Sequence, residues 1–183
     1  MYGIPNMKLE KSVVERRVAL MRELGIVFEL DADVNDPKVA AKLDDFDAVV
    51  VAAGARAPRG LSAANVDAPG VVYAVDYLTA GKPERIAGSE HEVPAQLVLI
   101  ACGFTGPEHG VFDAVGVPVA TAGRPLPVMA AEGSHLAART EGVAADAAPV
   151  YVAGDARNGS SLVVSAMADA LACAAEVAEA LEL

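Results

Sequence analysis

Apolar positions along the chain follow two periods. Between Lys11 and Leu24, Val14, Val18, Met21 and Leu24 recur at spacings of four, three and three, with Arg16, Arg17 and Glu23 largely on other faces. That period predicts an amphipathic helix, and Gly25 supplies its stop. Residues 26–30 then predict a short strand, and residues 39–43 one helical turn. Residues 47–53, apolar from Ala48 onward and ending at Gly54, have the pattern of a buried strand. Residues 71–74 predict a strand and residues 75–79 a short helix after it. Residues 96–102, apolar from Leu97 onward and bounded by Pro94 and Gly103, predict a strand buried on both faces. Small β-prone pieces stand between Gly and Pro at residues 118–129, and residues 130–148 are too rich in Ala and Gly for either period to emerge. The chain closes with a strand at residues 150–153 and a long Ala-rich helix at residues 160–183. Ser160 or Ser161 would cap that helix, with Leu162, Ala166, Ala170 and Cys173 facing inward. Together these elements predict an α/β fold: a parallel sheet, flanking helices and a small antiparallel section around residues 117–130.

Composition narrows the classes. The 183 residues suffice for one domain with a core. Apolar residues make up 54% but aromatics only 4%, so the core must come from Val, Leu, Ile and Ala. A formal net charge of −11 opposes nucleic-acid binding, because a phosphate backbone would be repelled. Two cysteines, Cys102 and Cys173, fit a reducing compartment and offer no disulfide framework or metal-ligand spacing. Both read as small inert hydrophobes. His91, His109 and His135 form no ligand cluster, so no metal site is expected. No apolar run reaches the roughly 20 residues that cross a bilayer, and the first residues lack the order of a signal peptide, which makes the cytoplasm the expected compartment.

The chemistry concentrates at Gly154-Asp155. A short apolar strand ends there in a carboxylate, and a glycine-containing loop leads on to the last helix. The carboxylate can accept from a sugar-like hydroxyl, and the free N–H groups opening a helix can donate to a carbonyl or anion. A polyhydroxylated, phosphate-bearing cofactor suits such a corner. An Asp that merely fixes its own turn suits it equally. The Ala53-Gly54-Ala55 corner closes a second strand in the same way. No nucleophile–base pair is evident, and no catalytic residue is assigned.

Longer phrases add a resemblance. Residues 2–11 (Tyr-Gly-Ile-Pro-Asn-Met-Lys-Leu-Glu-Lys), residues 103–108 (Gly-Phe-Thr-Gly-Pro-Glu) and residues 159–164 (Gly-Ser-Ser-Leu-Val-Val) occur in the order in which similar phrases stand in the small (beta) subunit of glutamate synthase. With the Gly54 and Gly154-Asp155 corners, the chain resembles the C-terminal part of that subunit, within the FAD- and NAD(P)-dependent pyridine nucleotide-disulfide oxidoreductase-like superfamily. The resemblance implies FAD as cofactor, with Asp155 on its ribityl chain and Ser161, Leu162 and Val163 presenting backbone N–H groups to the flavin pyrimidine edge. Ala53, Gly54, Ala55 and Gly154 complete the implied cofactor-binding set. Ala53 stands where the family pattern has threonine, and Ala170-Leu171 where it has Gly-Arg.

Other family features are absent from these residues. No two glycines are separated by a single residue, so no Gly-x-Gly-x-x-Gly turn exists to bring a backbone close to a pyrophosphate. Two cysteines cannot ligate the family's iron–sulfur clusters. The expectation is therefore a single partial Rossmann-like FAD-binding domain over residues 1–183, with the NADPH-domain insertion deleted near residues 82–88. Its implied role is part of the electron input from NADPH to FAD for glutamate synthesis, inactive alone. The alternative is a non-catalytic, truncated flavoprotein domain that self-associates or docks on a partner. Expected partners are a second copy, a complementing flavoprotein chain or the glutamate synthase large subunit, with no nucleic acid and no membrane.

Overall fold

The structure is a computed structural model that describes residues 4, 6, 8–69, 71–80, 98–121 and 125–183. In chain order its elements are α1 (Lys11–Glu23), α2 (Pro37–Ala40), a 3-10 turn (Ala41–Asp45), β1 (Val49–Val51), β2 (Ala57–Pro58), β3 (Val71–Tyr73), α3 (Ala74–Ala80), β4 (Val98–Ile100), β5 (Phe104–Gly106), α4 (Gly110–Ala114), β6 (Val150–Val152), α5 (Asp155–Asn158) and α6 (Val163–Ala180). β1 pairs with β6 and β3 with β4, both parallel, while β2 and β5 pair antiparallel. The fold is thus mixed α/β, with parallel strand pairs and flanking helices, as the two periods predict. The expected deletion near residues 82–88 lies outside the described residues.

The chain divides into two compact units, one of residues 1–30 and 60–102, the other of residues 31–59 and 103–183. In the first unit, α1 has the predicted extent but buries none of its residues. Residues 26–30 form no strand. No ladder partner reaches them among the described residues, and five residues without one cannot hold β geometry. Val27 is 89% exposed, and the Arg22 guanidinium stacks over the Phe28 ring at 5.4 Å. Among the described residues β4 ends at Ile100, short of the predicted 102, and Leu99 is exposed, so this strand is not buried on both faces. Cys102, just past it, is exposed as well.

The second unit holds the core. Asp36 starts α2 by accepting from the Lys38 N–H, with Pro37 in the first turn, a favoured entry to a helix. β6 is its centre, buried at all three positions. Alternation sends Val150 and Val152 to one face, into a cluster with Val51, Phe112, Val117, Ala137 and Ala156. It sends Tyr151 and then Ala153 to the other face, where they meet Cys173 and Val177 of α6. The edge of β6 away from β1 is met by residues 135–137: the Ala137 N–H donates to the Val150 carbonyl and the Val152 N–H to the His135 carbonyl, each at 2.8 Å. From there isolated antiparallel bridges link Met129 to Ala137 and Val119 to Pro127, which is the antiparallel section predicted around residues 117–130.

Phe112 is fully buried and fills the space under Val51, Val150 and Val152. Phe112→Ala removes the largest side chain of this cluster and should cost about 3–5 kcal/mol in urea unfolding followed by circular dichroism. A loss below about 1 kcal/mol would mean that this cluster is not the core.

Candidate functional site

Parallel pairing of β1 with β6 registers Val51 opposite Val152, so both strands leave the pair at the same end. Residues 53–55 and 153–155 therefore emerge side by side at the carboxyl end of the pair, where open α/β sheets place their ligand crevices. The two glycines there have left-handed backbones, φ +75° at Gly54 and φ +64° at Gly154, which a side chain would strain. Ala53 is exposed, Gly54 half-buried and Ala55 buried.

After Gly154 the chain does not loop freely. Residues 155–158 close one helical turn, α5, and Gly159 re-extends the chain. Asp155 Oδ1 accepts both from the Ser161 N–H at 3.1 Å and from its hydroxyl at 2.6 Å. Asp155 Oδ2 makes no hydrogen bond among the described residues, and the side chain is only half-buried. One oxygen is thus pinned and the other is left to accept.

That arrangement corrects the expected cap. The Ser161 hydroxyl is spent on Asp155, so α6 begins at Val163 behind an extended Leu162, and no side chain caps its first turn. Leu162 is 72% exposed rather than inward, and Ala170 is exposed. Ala166 is half-buried against Gly154, and Cys173 alone of the four is fully buried. Burial pushes the Cys173 thiol above its ordinary range, and Glu176 and Asp169 add to the effect, consistent with an inert cysteine.

Ala53, Gly54, Ala55, Gly154, Asp155, Ser161, Leu162 and Val163 are thereby drawn to one end of the parallel pair. Beneath them stands a cluster that the motif reading missed. Asp169 Oδ2 accepts the Gly154 N–H at 2.7 Å, while its Oδ1 receives Arg157 Nη1, also at 2.7 Å. Arg157 Nε and Nη2 reach the carbonyls of Ser134 and Gly133. Two turns further along α6, Glu176 accepts from the Ser134 hydroxyl at 2.5 Å, the His135 N–H at 2.8 Å and the Leu136 N–H at 3.3 Å. His135, 6% exposed, lies between the two carboxylates, with Nδ1 2.8 Å from Glu176 Oε2 and Nε2 3.3 Å from Asp169 Oδ1. The second approach is no hydrogen bond, and buried Nε2 has no hydrogen-bond partner among the described residues. A signal for this cluster exists in the sequence: Asp169 and Glu176 sit four before and three after buried Cys173, so two acids share an inward helical face and require donors there. Among the described residues no group of His, Cys, Asp and Glu is arranged to hold a metal, and no helix is long and apolar enough to cross a membrane.

Known proteins include several to which the chain is similar. Over 79 residues (43% of the chain) it is 47% identical to the glutamate synthase (NADPH) small chain of Bacillus subtilis, and over 82 residues (43%) it is 43% identical to the small chain of Azospirillum brasilense. The NADH glutamate synthase of Schizosaccharomyces pombe matches at 43% over 81 residues, 42% of the chain. The chain is similar to glutamate synthase small chains. The relatives bear out the resemblance to that subunit over somewhat less than half of the chain. The chain covers 16% of the length of each of the two bacterial small chains and 4% of the Schizosaccharomyces pombe glutamate synthase. No family profile matches it.

Glu176 carries a pH signature. Burial opposes its charge, but the bonds from Ser134, His135 and Leu136 outweigh burial and pull its carboxyl from 4.5 down to about 2. A carboxyl depressed by folding contributes stability that is complete above its unfolded value, then lost as pH falls through its folded one. Glu176→Gln should therefore lower the urea midpoint at pH 7, and the gap from wild type should shrink between pH 4.5 and about 2. A gap independent of pH across that window would mean that Glu176 is not held as an ionised acceptor.

Proposed function

We propose that the carboxyl end of the β1–β6 pair holds the ribityl and flavin part of FAD, and that the chain is part of a glutamate synthase small-chain-like oxidoreductase. One observation carries the reading. Asp155 stands at a strand end beside a left-handed glycine, with one oxygen fixed by Ser161 and the other open to a hydroxyl donor. An acceptor held this way loses little freedom on binding. The uncapped first turn of α6, with Leu162 and Val163 at its opening, offers N–H groups and a positive helix end to a carbonyl-bearing ring edge. Ala53, Gly54 and Ala55 form the neighbouring wall.

The fit extends to the polyol half of the cofactor only. With no Gly-x-Gly-x-x-Gly turn in these residues, nothing is set to receive the pyrophosphate closely. Bound flavin would supply two-electron acceptance from a nicotinamide, and the protein's share is to orient the ring and its side chain. In this reading residues 1–183 are one partial FAD-binding domain with the NADPH-domain insertion absent near residues 82–88. The Gly-rich half lies outside these residues, the large subunit takes the electrons, and the compartment is the cytoplasm.

A second reading has its own observation. Leu162, Val163, Val164, Met167 and Leu171 are all at least 61% exposed, and Val163, Met167 and Leu171 repeat every four residues along α6. An apolar face of that kind is a feature of docking surfaces, and it favours a non-catalytic domain that pairs with itself or another chain.

Incubation with FAD, desalting and a visible spectrum separate the two. Retained flavin absorbance is expected, with Asp155→Ala weakening binding by roughly tenfold or more, as loss of a charged acceptor implies. A colourless wild-type protein, or an Asp155→Ala variant that retains flavin equally, would overturn the first reading. The purified chain alone is expected to oxidise NADPH weakly or not at all, and robust turnover would refute the partial-site account.

A further inference from the structure

We infer that Asp169 is the positioning residue of the Asp155 corner, with Arg157 fixing the orientation in which it acts. The inference rests on the reading that Asp155 receives a cofactor hydroxyl, but its structural part is tested independently of any cofactor.

Gly154 departs from β geometry at φ +64°, ψ −142°, and no side chain caps the turn of α5 that follows it. Its N–H has left the β ladder and would be an unsatisfied donor in a buried position. Asp169 Oδ2 accepts that N–H at 2.7 Å, from fifteen residues further along the chain. Such a short bond to an ionised acceptor is of the stronger kind. It ties the peptide immediately before Asp155 to the second turn of α6.

Asp169 can do this only if its carboxylate is itself held. Arg157 Nη1 engages Oδ1 at 2.7 Å, and the same guanidinium is anchored on the carbonyls of Gly133 and Ser134. Burial opposes the charge of Asp169, yet the bonds from Asn158 and Gly154, with Arg157 and His135 alongside, keep its carboxyl below the ordinary range. Both oxygens therefore face donors. An amide in that place offers one acceptor, so Asp169→Asn must turn its NH2 group against either the Gly154 N–H or Arg157.

A structural tie for α6 alone would make the same contacts, but the helix has another tie. Glu176 binds Ser134, His135 and Leu136 directly, so α6 keeps a docking point when Asp169 is changed. Losing Asp169 should accordingly free the corner while the helix stays.

The test compares full-length wild type, Asp169→Asn, Asp169→Glu and Glu176→Gln by amide hydrogen exchange at Gly154 and Ser161, with circular dichroism for helix content and FAD titration beside it. Asp169→Asn should retain its helix content, raise exchange at both amides by about tenfold and weaken FAD binding by a similar factor. Asp169→Glu, which restores the charge, should recover part of the protection, and Glu176→Gln should leave the two amides as in wild type. Wild-type exchange at Gly154 and Ser161 in Asp169→Asn would overturn the inference. Equal loosening of the corner by Glu176→Gln would also overturn it, by reducing Asp169 to a general anchor of α6. If wild type takes up no FAD, the cofactor reading fails, while the two amides still decide whether Asp169 sets the corner.

Discussion

A carboxylate on the last helix, accepting the Gly154 N–H with one oxygen and Arg157 with the other, joins the parts of the second unit that build the strand-end corner. Through Gly154 it reaches the end of β6. Through Arg157 it reaches the carbonyls of residues 133 and 134, which lead into the segment that borders β6 on its other edge. Without donors on both sides, an acid on the inner face of α6 would be a liability of several kcal/mol. With them it fixes helix, strand end and neighbouring loop in one arrangement.

From that arrangement the character of the site follows. Asp155 does not point freely into solvent. Its first oxygen is occupied by Ser161, which sets the angle at which the second is presented. The cost of using Ser161 in this way is an uncapped α6, and those unsatisfied N–H groups open beside the same carboxylate. Acceptor and donors at one sheet end suit a ligand that carries hydroxyls near a polar ring, which is the chemistry of a flavin and its ribityl chain.

The sequence displayed regular periods well and long-range pairing poorly. α1, β1, β3, α3 and β6 follow from local pattern, because each is a stretch whose own spacing fixes its type. Residues 26–30 read as a strand but find no ladder partner among the described residues, a fact that no local pattern contains. The start of α6 was misplaced by three residues, since Ser161 looks like a cap until Asp155, six residues earlier, takes its hydroxyl. The corner at Gly154-Asp155 was legible as strand, glycine and acid. The cluster of His135, Arg157, Asp169 and Glu176 was not, because its members come from three places in the chain and only the two acids share a helical face.

The central claim is that this corner holds the polyol and ring half of a dinucleotide rather than its pyrophosphate half. Calorimetric titration of the purified chain with riboflavin and, separately, with ADP tests it most directly, since each ligand carries one half alone. The account predicts measurable binding of riboflavin and none of ADP. Binding of ADP without riboflavin would contradict it and place the chain's affinity at the end where no glycine fingerprint exists.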